Sequence, residues 1–74
     1  MPLINVAVDS SSLFALAYDD LHSILAVEFR DGSSYCYHRV PLSLFQELLA
    51  AKSKGAYFNS HIWGRFPYSK ISSG

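Results

Sequence analysis

Apolar side chains recur at every second position along the first half of the chain and at every third or fourth along the second. Ile4, Val6 and Val8 alternate with Asn5 and Ala7, the pattern of a short strand. Asp9-Ser10-Ser11-Ser12 interrupts it, because such side chains compete for nearby backbone groups and favour turns. The apolar run resumes from Leu13 to Tyr18 and predicts a second strand, or the continuation of one bent strand. Asp19 to Ser23 reads as a turn. The clearest strand follows, with Leu25, Val27 and Phe29 on one face and Ala26, Glu28 and Arg30 on the other.

Asp31-Gly32 is a hairpin signal, and the return strand alternates Tyr35 and Tyr37 with Ser34, Cys36 and His38. A two-residue turn would set the tyrosines against the wrong face. A type I turn with a glycine bulge shifts the pairing by one residue and gathers Leu25, Val27, Phe29, Tyr35 and Tyr37 together, so it is the expected register. Val40-Pro41 ends the strand, and Pro41 suits the first turn of a helix. Leu42, Phe45, Leu48 and Leu49 then form a helical stripe ending near Ala51, backed by Ser43, Gln46 and Glu47. A second helix over about 54–62 has Ser53 as its cap, and Gly64 and Pro67 break it. The expected architecture is α+β: an antiparallel three- to four-stranded meander followed by two helices packed on one face. Residues 1–70 form one domain in this reading, and 71–74 a flexible tail.

Composition narrows the class. The chain has 74 residues, half of them apolar and 15% aromatic, enough for one small core near the lower size limit of a self-supporting domain. Nothing approaches the roughly 18–20 apolar residues of a membrane span, and the N-terminus lacks a signal-peptide pattern. One cysteine, Cys36, makes no internal disulfide and fits a cytoplasmic location. Net charge is zero, yet five acids against Arg30 give −4 over residues 1–38, and five bases against Glu47 give +4 over residues 39–74. That asymmetry suits a basic face or head-to-tail association, unless the fold interleaves the halves.

Catalytic chemistry has little to stand on. Cys36, His38, His22 and His61 have no paired metal-ligand spacing, so neither metal nor cofactor is expected. Ser10, Ser11 and Ser12 lack the glycines of a nucleophile elbow, Cys36 would need a lowered pKa, and no enzyme is expected. Binding chemistry is richer. Lys52, Ser53, Lys54 and Gly55 open the second helix, where free N–H groups and ammonium groups favour anions, with Ser10–Ser12 as further ligand contacts. From Asn59 onward, Trp63, Arg65, Tyr68 and Lys70 interleave aromatic and basic groups as base stacking and phosphate contact require.

The series Ser10-Ser11, Leu13, Tyr18-Asp19, Leu25 to Phe29, Gly32, Tyr35, Tyr37 and Val40-Pro41, continued by Ala51, Ser53, Lys54, Gly55, Tyr57, Phe58, Asn59 and Ile62, resembles the KTSC domain over about residues 8–68. That family is named for its occurrence at the C-terminus of some lysyl-tRNA synthetases and also occurs as short stand-alone bacterial and phage proteins. The resemblance implies an accessory nucleic-acid-binding role by association. Trp63 stands where the family usually has a basic residue and Phe66 where a tyrosine is usual, which favours an apolar contact. The leading expectation is a non-enzymatic module contacting RNA or another nucleic acid through its basic and aromatic second half. A small anionic-ligand (nucleotide) protein and a structural or homo-oligomeric protein using exposed aromatics are the alternatives.

Overall fold

The computed structural model describes residues 3–7 and 13–72. Strands β1 (Leu3–Ala7), β2 (Leu13–Asp19), β3 (Ile24–Phe29) and β4 (Ser34–Tyr37) precede helices α1 (Leu42–Ala50) and α2 (Lys54–His61), and a further strand, β5 (Tyr68–Ser72), follows them. The five strands form one antiparallel sheet in the order β1-β2-β3-β4-β5. The α+β meander with two helices on one face is therefore as expected, and the first two strands are separate and paired. β5 is a correction: Ile71 and Ser72 lie in an edge strand where a tail was expected. Residues 73–74 lie outside the described residues, as does the expected break at residues 9–12.

Register follows burial. Val27 pairs with Tyr35 and Leu25 with Tyr37, so the apolar side chains share one face. Gly32 N–H donates to Phe29 O at 3.0 Å and Phe29 N–H to Ser33 O at 2.9 Å, with Gly32 at φ 92°, which is the type I turn with a glycine bulge. A second irregularity lies in β2. Leu13 and Leu16 are three residues apart and would face opposite sides of a regular strand, but the register shifts between Leu13 and Ala15 and both are buried.

The helices close the core over the middle of the sheet. Tyr18 stacks on Phe45 with centroids 4.8 Å apart, and Leu16, Leu25, Val27, Val40, Leu48 and Ile62 belong to the same buried cluster. Tyr18 also donates its hydroxyl to the Val40 carbonyl, so this buried phenol is satisfied. Pro41 takes the cap position of α1, one residue earlier than expected, with extended backbone angles. Ser53 caps α2 as expected, its hydroxyl accepting from Ala56 N–H at 3.3 Å. Among the described residues no helix is long and apolar enough to cross a membrane.

Candidate functional site: an aromatic groove beside the β3–β4 hairpin

Aromatic side chains continue past the helical cover toward the β4–β5 edge. Phe58 of α2 meets Phe29 edge-on at 5.6 Å and Tyr37 edge-on at 5.3 Å. Tyr35 lies 5.7 Å from Phe29, and Tyr68 lies 5.7 Å from Tyr35 and 5.6 Å from Tyr37. These rings belong to the hairpin, α2 and β5, and the pairing of β5 with β4 brings Tyr68 to the others. The backbone N–H of Trp63 donates to Phe58 O at 3.0 Å, just past the end of α2. The rings border a groove of about 620 Å³, also lined by Arg30, Asp31, Ser33 and Asn59. That volume is in the range of small-ligand sites.

Exposure separates the rings by role. Phe58 and Tyr37 are buried, whereas Trp63 is 62% and Tyr68 55% exposed. Burial, with smaller contributions from Tyr68 and Tyr35, pushes the Tyr37 phenol up to about 12, so it is a neutral hydroxyl at any physiological pH. Two cations stand near the groove. Lys70 Nζ lies 5.8 Å from the centre of the Tyr35 ring, and the Arg30 guanidinium stands 5.5 Å from that of Phe14. The acid of the site is Asp31. Its Oδ1 accepts from Ser33 N–H at 2.9 Å and from Ser33 Oγ at 2.6 Å. Those bonds, the hydroxyl first, hold its carboxyl below the usual carboxylate range, and Lys70 adds to the effect.

Of the candidate residues, Asn59, Trp63 and Tyr68 line the groove and Lys70 stands beside it. Lys52, Ser53, Lys54, Gly55 and Arg65 do not line it. Ser53 spends its hydroxyl on the helix cap, Lys54 Nζ donates to Ala51 O at 3.3 Å, and Arg65 Nε donates to Ser60 O at 3.0 Å. Ser10, Ser11 and Ser12 lie outside the described residues. Of the two apolar departures, Trp63 is exposed while Phe66 packs against the core. Burial raises the Cys36 thiol above its ordinary value, the opposite of activation. Among the described residues, no group of three metal-ligating side chains comes together.

Sequence reasoning missed the hairpin's contribution: Phe29, Arg30, Asp31, Ser33, Tyr35 and Tyr37. A signal was present. Tyr35 and Tyr37 occupy positions where a closed core would take phenylalanine, and a tyrosine there asks for a wet or bonded hydroxyl. The two charge-biased halves are also interleaved, since Lys70 of the basic half acts on Asp31 of the acidic one.

Fold and groove define a small α+β domain whose helices cover part of one sheet face and leave an aromatic cleft at the end beside the hairpin. The chain belongs to the KTSC domain family, whose model matches residues 9–66. A crystal structure of a KTSC domain protein from Yersinia pestis superposes with a TM-score of 0.90 at 33% identity, covering 96% of this chain and all of that one. A protein of Tsukamurella paurometabola is 42% identical over 59 residues, 80% of this chain and 88% of the relative. A lysine–tRNA ligase of a Nostoc species is 41% identical over 64 residues, 86% of this chain but only 11% of the ligase.

Proposed function

We propose that this domain is a non-enzymatic module that binds single-stranded nucleic acid, RNA foremost, by stacking bases in the aromatic groove. The observation that carries the proposal is the union of exposed Trp63 and Tyr68 with a floor of four further rings in one cleft flanked by Lys70. Every base has a π-face, so stacking on such rings gives affinity at little cost in generality. Lys70 and Arg30 would meet phosphates, and Lys52 and Lys54 would add longer-range attraction from outside the groove. The likeness of the chain to part of a lysine–tRNA ligase supports an RNA ligand by association. The setting we propose is the cytoplasm, which the single free thiol of Cys36 favours.

The test is an amide-shift titration of isotopically labelled protein with short single-stranded RNA, repeated at high salt. Shifts should cluster on residues 29–37, 58–63 and 68–70 and shrink steeply with salt. Tyr68→Ala should stay folded, its ring being half exposed, and weaken binding by about 1–3 kcal/mol. Silence of the groove toward RNA, or binding indifferent to Tyr68→Ala and Trp63→Ala, overturns the proposal.

A further inference from the structure

One carboxylate, Asp31, shares the groove lining with the rings, an unexpected group in a site for a polyanion. We propose that Asp31 makes the groove selective for guanine among the four bases; the inference rests on the nucleic-acid reading and specifies its ligand. An ionised carboxylate offers about four acceptor sites. Ser33 takes two of them at Oδ1 through its N–H at 2.9 Å and its hydroxyl at 2.6 Å. Oδ2 carries neither of those bonds, and the two at Oδ1 tether the carboxylate to Ser33, which is buried and whose carbonyl accepts from Phe29 N–H across the hairpin. A preset acceptor of this kind loses little entropy on binding.

The bases differ sharply toward such an acceptor. Guanine carries two N–H donors side by side, N1–H and N2–H, on its Watson–Crick edge. Adenine and cytosine carry one exocyclic amine beside a ring nitrogen that is itself an acceptor. Uracil places its one N3–H between two carbonyl oxygens, which a carboxylate repels. A stacked base held by its ring faces against Trp63 or Tyr68 presents that edge in the plane of the cleft, where edge readout of unstacked RNA bases takes place. Asn59, from α2, adds an amide to the lining that can donate to a guanine acceptor. The low carboxyl range of Asp31 keeps the acceptor ionised at neutral pH. Lys70 keeps the site from being net repulsive to phosphate.

The experiment titrates the full chain with the trinucleotides UGU, UAU, UCU and UUU at low salt, read by the fluorescence of Trp63, the single tryptophan. UGU should bind about tenfold tighter than UUU, toward the low end of what a contact to a base edge supplies, because both guanine donors share Oδ2. Asp31→Asn keeps an oxygen for Ser33 and replaces Oδ2 with a donor, so the turn is retained while the readout is inverted. In that variant the UGU advantage should fall to within about twofold and UUU binding should hold or improve. Equal affinity of the wild-type chain for all four ligands overturns the inference and leaves the nucleic-acid reading standing. No binding to any of them overturns both. Retention of the guanine preference in Asp31→Asn, with chemical shifts reporting a native fold, removes Asp31 as its source. The wild-type comparison decides the matter even where the variant fails to fold.

Discussion

Tyr18 brings a hydroxyl into an apolar core and uses it to hold Val40, in the connection from β4 to α1. Removing the hydroxyl leaves the ring and its stack on Phe45 but orphans a buried carbonyl. Tyr18→Phe should cost about 1–3 kcal/mol, the range for an unsatisfied buried polar group. A urea melt should show a lower midpoint with an unchanged slope, because the surface exposed on unfolding is the same. At this scale the sequence was informative about type and poor about role. Tyr57 looks apolar in the helix pattern, yet its hydroxyl donates to Glu47 at 2.7 Å and its ring stacks on His61 at 4.1 Å. Trp63 and Tyr68 were recognisable as surface candidates because basic residues flank them. Asp31 read only as a turn former.

Among the elements, the β3–β4 hairpin fixes both core and groove. Gly32 sits at φ 92°, where a Cβ meets its neighbouring carbonyl, so Gly32→Ala should destabilise the domain by about 1–2 kcal/mol. Thermal melts check the loss. Groove shifts in an amide spectrum should move with it, because Asp31 precedes the glycine. The hairpin register was legible, since only the bulged alternative puts five apolar residues on one side. β5 was not. Its residues show no apolar alternation, Tyr68 and Ile71 being exposed at an edge, and its partner β4 lies two helices earlier in sequence. Pairing over that distance leaves no local trace, and the β2 bulge hides for a related reason, the three-residue step from Leu13 to Leu16 imitating a helical period.

For the molecule as a whole, pH acts from both sides. Tyr37 and Tyr57 are each raised to about 12, Tyr37 chiefly by burial and Tyr57 by burial and then Glu47. An unfolded tyrosine ionises near 10, so the stabilisation these phenols give is complete below that pH and is lost as pH rises from about 10 to about 12. Asp19, lowered first by its bond to His22, and Asp31, lowered first by Ser33, act in the other direction. Their contribution is present above the unfolded carboxylate value and lost as pH falls through the folded ones. Denaturant melts across pH should therefore trace a plateau falling away on both sides, and Tyr37→Phe should flatten the alkaline limb. Site legibility was also a whole-molecule matter. Asn59, Trp63, Tyr68 and Lys70 lie close together in sequence and stand out there as candidates, while the hairpin's half joins them through tertiary packing and the order of strands in the sheet.

Asp31 serves the turn through Oδ1, which takes both bonds from Ser33. Copies of this domain drifting after gene duplication would keep that aspartate for the sake of the hairpin alone, with or without the proposed binding. Trp63 and Tyr68, mostly in solvent, hold up little of the fold. Were the proposed binding lost in a lineage, those two rings would be the first free to change.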